Sequence, residues 1–211
     1  MTATGGPPMR ETSPAFAKTS AAVSNLARGT MGKDVSLGSV ASELQDRGFG
    51  ILIILFALPN AIIPGLSFVL GAPVLLFALQ LAAGRNEVWL PGFLARRTLP
   101  AAVFQKIAAR TASFLLWIER RVRPRWTWLV SGSSERLLGL YIAAVAAFLM
   151  MPVPFGNALP ALGISFMSAG LIEKDGKTAA IGILLGLLGC LYIGAAIVLG
   201  VSTVKSLFGL F

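Results

Sequence analysis

Two asparagines stand in sequence apolar enough to lie in a bilayer, each set among prolines. Asn60 lies in Leu58-Pro59-Asn60-Ala61-Ile62-Ile63-Pro64-Gly65-Leu66-Ser67-Phe68. Asn157 lies in Pro152-Val153-Pro154-Phe155-Gly156-Asn157-Ala158-Leu159-Pro160-Ala161-Leu162-Gly163-Ile164-Ser165-Phe166. Proline removes a backbone donor and clashes with the carbonyl four residues earlier. Pro59 is therefore expected to free the carbonyl of Leu55, and Pro64 that of Asn60; Pro152, Pro154 and Pro160 act alike in the second stretch. These carbonyls, the Asn60 and Asn157 amides and the Ser67 and Ser165 hydroxyls make a neutral cluster of donors and acceptors. Helices resuming after the breaks, at Leu66 and Ala161, present partly positive N-termini. Transporters use such discontinuous helices to hold small ions and anions at mid-membrane. The same residue types also make ordinary turns between spans. The short apolar arms beside each break are what favour a submerged site, since broken backbone at membrane depth must be satisfied by protein or water.

A second cluster is basic. Arg120-Arg121-Val122-Arg123-Pro124-Arg125-Trp126 has the charge to hold anionic lipid headgroups or a lipid-linked phosphate, or simply to fix topology through ordinary phospholipid contact. It belongs to residues 85–136, where ten Lys/Arg oppose three Glu and supply +7 of the chain's +9. The positive-inside rule puts this segment in the cytoplasm. All four tryptophans (Trp89, Trp117, Trp126, Trp128) fall there, as expected of interfacial anchors. Residues 99–118 alternate at helical period: Val103, Ile107, Phe114 and Ile118 on one side, Lys106, Arg110 and Ser113 on the other. Such a helix is expected to lie on the membrane rather than cross it.

The elements that must position these groups follow from the pattern. Residues 1–33 are polar, rich in Gly, Pro, Ser and Thr, and read as a disordered cytoplasmic tail. Residues 34–46 form a short amphipathic helix capped by Asp34 or Ser36, with Leu37, Val40, Ala41 and Leu44 sharing a face. A broken hairpin covers 48–84; its first arm, residues 48–58, is 11 residues or about 17 Å of helix, roughly half of a ~30 Å hydrocarbon core. A second broken hairpin covers 137–172, and its 12-residue arm 161–172 is also too short to span. A charged turn, residues 173–177, leads into one conventional span at 178–199. Gln80, Arg85 and Glu87 are expected to pair with that turn. With the N-terminus cytoplasmic, this count puts the C-terminus outside, against which Lys205 is a weak signal.

Composition narrows the function. The chain has 211 residues, is 55% hydrophobic and 13% charged, with mean hydropathy +0.78, too apolar for a soluble domain of this size. Residues 34–211 are expected to form a single membrane domain. The first apolar run, near Gly48, reads as an uncleaved insertion signal. There is no histidine, which removes the commonest general base and metal ligand. Cys190 is the lone cysteine and reads as a packed thiol. Lipid phosphatases carry Arg-Pro pairs but need catalytic histidines. Asp175-Gly176 lacks the second acidic pair of the CDP-alcohol transferases. G-x-S-x-G and P-loop motifs are missing. Enzyme activity, a cofactor, a metal and a nucleic-acid partner are not expected. Gly182, Gly186, Gly189 and Gly194 suit close helix packing, and the last span offers one face for a homodimer.

Phe56-Ala57-Leu58-Pro59-Asn60, Pro64-Gly65-Leu66-Ser67 and Gly71-Ala72-Pro73 through Gln80 resemble the ExoD family of bacterial exopolysaccharide-synthesis proteins. So do Trp89-Leu90-Pro91, Arg123-Pro124-Arg125-Trp126, Glu135-Arg136, Pro152-Val153-Pro154 with Gly156-Asn157 and Leu159-Pro160-Ala161, and the turn Glu173-Lys174-Asp175-Gly176. The resemblance covers roughly residues 36–200. It implies a multi-pass inner-membrane protein linked to exopolysaccharide production and alkaline tolerance, and no catalytic mechanism. The fold expected is an all-α integral membrane protein: two Pro/Asn-broken hairpins acting as re-entrant repeats, interfacial amphipathic helices and one conventional C-terminal span. Two functions follow. One is transport or ion homeostasis through a polar site at the paired breaks; without membrane-buried charges a simple proton relay is disfavoured. The other is a non-catalytic assembly or regulatory subunit of polysaccharide-synthesis machinery. The partners expected are membrane lipids and, for the second function, polysaccharide-synthesis proteins.

Overall fold

The computed structural model describes residues 14–44, 48–61, 67–85, 87–151 and 156–208. It is helical apart from one two-residue strand pair. Helix α1 is Pro14–Gly29, followed by β1 (Val35–Ser36), α2 (Leu37–Leu44) and α3 (Phe49–Ala57). A 3-10 turn, Leu58–Ala61, ends α3, and α4 is Ser67–Ala82. Then come α5 (Gly92–Ala95), β2 (Thr98–Leu99), α6 (Ala101–Arg121) and a 3-10 turn, Thr127–Val130. Helices α7 (Ser133–Leu149), α8 (Ala158–Glu173) and α9 (Gly176–Phe208) complete the order.

Apolar continuity makes α3 the centre of the core. Its sequence FGILIILFA is hydrophobic all round, and all nine residues are buried. It packs on α4, α8 and α6; Phe56 meets Phe77 of α4 with ring centroids 6.0 Å apart. Helices α4 and α7 run antiparallel: Gly71 near the start of α4 faces Met150 just past the end of α7, and Gly139 early in α7 faces Ala78, Leu81 and Ala82. Chain connectivity then brings the end of α3 and the start of α8 to the same place. Both breaks are therefore flanked at one end of the α3–α4–α7–α8 bundle.

Among the described elements, α8 and α9 pack on each other most extensively. A Cβ on Gly163 would lie 2.5 Å from the Gly186 nitrogen, and one on Gly182 would lie 2.5 Å from the Met167 nitrogen. Only glycine permits backbones to approach so closely. Gly189 meets the Pro160 ring in the same way. The close packing expected of these glycines is against α8 of the same chain, with Gly186 also beside Val145 and Tyr141 of α7; Gly194 alone of the four has open space beside it. By length and composition, 176–200 is long and apolar enough to cross a membrane, while 49–61, 69–82 and α8 are shorter apolar helices. The uncovered side of α9 carries Ile181, Leu184, Leu188, Leu191 and Val198, all exposed, and α7 adds Leu137 and Leu140.

Residues 14–29 correct the expected tail. They form α1, which packs on α6 through Ser20, Val23 and Ala27. These small residues at i, i+3 and i+7 share one helical face, but their apolarity is too low to stand out in sequence. Helix α6 has the two sides expected: Ile107 and Ile118 are buried and Val103 and Phe114 half-buried, with Phe104, Ala108 and Leu115 also covered by protein, while Lys106, Arg110 and Ser113 face outward. Helix α2 is as expected: Leu37, Val40, Ala41 and Leu44 are its buried residues. Ser36 caps it, its Oγ accepting from the Ser39 N–H at 3.1 Å. Asp34 instead accepts from the Ala101 N–H at 3.2 Å, at the start of α6, beside the pairing of Val35 with Leu99 and Ser36 with Thr98.

Candidate functional site

At the first break, Pro59 follows a helix with no polar face, and the chain tightens into a 3-10 turn that keeps Leu58, Pro59 and Asn60 buried. Asn60 is 3% exposed. Its Nδ2 donates to the Phe56 carbonyl at 3.1 Å, supplying a bond to a carbonyl one turn back on α3. Its Oδ1 is buried and has no hydrogen-bond partner among the described residues. An acceptor left so costs about 1–3 kcal/mol. The turn packs against α8, α6, α3 and α4. Pro64 lies outside the described residues, and the side chain of Ser67, the first residue of α4, is outside them too.

The second break is built differently. Asn157 is the N-cap residue of α8 and half-buried; its backbone carbonyl accepts from the Ala161 N–H at 3.1 Å, and its side chain makes no capping bond. Pro160 is the third residue of α8 and buried. Backbone N–H groups in a first turn have no intrahelical partner, so proline fits there without breaking the helix. The expectation that Pro160 breaks the arm is thereby corrected: α8 has 16 residues, starting at Ala158 rather than Ala161. Ser165 is fully buried, and its hydroxyl donates to the Ala161 carbonyl at 2.7 Å. That bond ties it to its own helix and removes its donor from the proposed cluster. Pro152 and Pro154 lie outside the described residues.

Sequence reasoning missed two further buried hydroxyls. Thr111 of α6 and Ser168 of α8 are fully buried, with no hydrogen-bond partner for their Oγ atoms among the described residues. Mid-helix Ser and Thr usually bond back to a carbonyl in the preceding turn, so no sequence signal distinguishes these two. Near Ser168, α3 approaches closely: a Cβ on Gly50 would lie 3.2 Å from the Ser168 carbonyl oxygen.

At the opposite end of the bundle from the breaks lies the basic loop. Arg120, Arg121, Arg123, Arg125 and Trp126 are all exposed. Arg121 stacks over the Trp117 ring at 5.2 Å, and Lys177 lies 5.8 Å from the centre of the Trp126 ring. The loop is fastened to the α8–α9 turn by the Gly176 N–H donating to the Arg125 carbonyl at 2.6 Å. Asp175 turns inward and caps α9, accepting from the Thr178 hydroxyl at 2.6 Å. The charged turn also pairs Lys174 with Glu135 at 3.8 Å. The expected pairing with Gln80, Arg85 and Glu87 is overturned. Gln80 instead clamps the chain after α4, accepting from Trp89 N–H at 2.8 Å and donating to its carbonyl at 2.8 Å, while Arg85 and Glu87 face outward. No group of His, Cys, Asp and Glu suited to a metal is found among the described residues.

The family model described as "Exopolysaccharide synthesis, ExoD" matches residues 19–195. A protein of Rhizobium meliloti named Protein ExoD is 33% identical over 156 residues, covering 71% of this chain and 65% of the relative. The chain thus matches just under two thirds of that protein's length. An uncharacterised protein of Synechocystis sp. is 32% identical over 161 residues, covering 74% of this chain and 76% of the relative. No solved structure matches the chain.

Proposed function

The chain belongs to the ExoD family of exopolysaccharide-synthesis proteins, and from that membership we propose a bacterial inner-membrane protein, multi-pass with its N-terminus cytoplasmic, that moves a small solute or ion. The broken ends of α3–α4 and α7–α8 form its polar site. Transport would make the link to exopolysaccharide production indirect and would fit alkaline tolerance; no catalytic role is proposed. The arms are re-entrant in this reading, because α8 spans only about 24 Å at helical rise against a ~30 Å core. The pairing of α3 with α8 and of α4 with α7 supports a duplicated hairpin. The observation that carries the site is the Asn60 Oδ1 acceptor, buried at the break and unpaired among the described residues.

The test is flux in proteoliposomes holding the chain alone, read with dyes for protons, sodium and potassium and by uptake of labelled anions. The proposal expects flux in the native chain and its loss in Asn60→Leu, with the fold kept. Absence of flux for every species refutes transport. A second reading, a non-catalytic assembly or regulatory subunit of polysaccharide-synthesis machinery, draws on the Asn60 Nδ2 and Ser165 bonds, which engage both side chains within their own helical segments. It expects silent proteoliposomes and co-purification with polysaccharide-synthesis proteins.

A further inference from the structure

We propose that residues 117–126, the end of α6 and the loop after it, fastened to the α8–α9 turn, are a preorganised surface for the phosphate groups of anionic lipid headgroups. Four arginines occupy six consecutive positions of this segment, and all four are exposed. Lys174 and Lys177 join them through the docked turn. Two acidic groups nearby, Asp175 and Glu135, are turned to other tasks. Asp175 is 4% exposed and caps α9, and Glu135 pairs with Lys174. The ion pair described at this end joins Lys174 to Glu135 and does not involve the four arginines. Guanidinium groups suit phosphate oxygens because their donors form a planar fork.

Backbone geometry holds these cations in place. Trp126 has φ +49, a left-handed conformation unusual for a bulky residue. It is held there against Gly176, where any Cβ would collide with the Trp126 carbonyl oxygen and side chain. Two aromatic rings support the charges from below: Trp117 under Arg121 and Trp126 under Lys177. A cation over an indole face is attracted by the ring quadrupole and keeps its remaining donors outward.

Position in the fold argues for lipid as the source of the phosphate. The loop lies where α9 begins, and the uncovered apolar row of α9 starts there with Ile181 and Leu184. Leu137 and Leu140, near the start of α7 at the same end, are exposed as well. Trp126 and Trp128, 53% and 67% exposed, lie at this same end of the bundle, with Trp126 against Gly176 at the start of α9; exposed tryptophan anchors at the interface of a bilayer. The proposal rests on membrane embedding but not on the solute site at the other end of the bundle.

The experiment uses the full chain in phosphatidylcholine vesicles doped with phosphatidylglycerol brominated on its acyl chains, which quenches nearby tryptophan. The control dopant is brominated phosphatidylcholine at the same fraction. Stronger quenching by the phosphatidylglycerol is expected, and inorganic phosphate should leave it unchanged. Replacing Arg123 and Arg125 by Gln should weaken the preference about fivefold per charge removed, with helix content unchanged by circular dichroism. Gly176→Ala should reduce it with every arginine retained, because the loop loses its seat. Equal quenching by the two lipids, or an undiminished preference in the double variant, overturns the proposal. Abolition of the preference by inorganic phosphate overturns the lipid as source. None of these readouts depends on flux, so failure here is distinguishable from failure of the transport reading.

Discussion

The two hairpins carry nearly the same residues and treat them differently. In the first, α3 has nine residues and every one is buried. In the second, α7 has 17 residues and leaves Leu137 and Leu140 exposed. Asn60 accordingly sits in the interior, 3% exposed, whereas Asn157 stands at a helix start, half-buried; the side-chain oxygens of both are buried. A shared Pro-Asn pattern therefore marks a junction between helices, the end of one at Asn60 and the start of the next at Asn157; burial of the arm decides how deep the polar group beside it lies.

The largest expected effect comes from the helix that ties the second hairpin to the last one. Gly163→Leu should collapse the α8–α9 contact, because its Cβ would fall 2.5 Å from the Gly186 nitrogen. Overpacking of a close contact costs about 1–3 kcal/mol and more where backbone must move. Thermal unfolding in detergent should register this as the strongest loss among single substitutions at the sites discussed. An unchanged midpoint would mean that α8 and α9 are not in contact.

Next come the asparagines themselves, which sharpen the comparison. Asn60→Ala removes the bond to Phe56 and should cost about 1–2 kcal/mol. Asn157→Ala, at a half-buried helix start whose side chain makes no capping bond, should cost less, about 1 kcal/mol or below. Equal losses at both positions would erase the distinction between the two hairpins. A smaller effect is expected at the basic end, where Lys174→Ala breaks an ion pair between partly exposed side chains. Its contribution should be about 0–1 kcal/mol and shrink with added salt; a larger, salt-independent loss would show that the turn holds the bundle together.

What sequence made legible, and what it did not, divides along physical lines. The face of α2, the long apolar α9 and the positions of both breaks were readable because runs and periods of large apolar residues are strong signals. Helix α1 was hidden because its contact stripe is Ser20, Val23 and Ala27. Periodicity showed that α6 has an apolar face but could not say whether lipid or protein covers it; α1, α3 and the Asn60 turn pack against α6. The glycines of α9 were read as a packing stripe, yet their partner is α8 of the same chain, a matter of tertiary arrangement. The place of Asn60 at the end of the first arm was legible from its prolines. The bond of Ser165 to its own helix and the unpaired hydroxyls of Thr111 and Ser168 follow from packing that no local pattern encodes.

Accessibility at position 60 tests the polar site most directly. In a chain with Cys190→Ala and Asn60→Cys, embedded in vesicles, small hydrophilic and bulky thiol reagents can be compared by labelling rate. A submerged site reached by water predicts slow but measurable reaction with the small reagent and none with the bulky one. No reaction with either would place Asn60 in a dry core, and rapid reaction with both would place the turn in open solvent; either result contradicts the site.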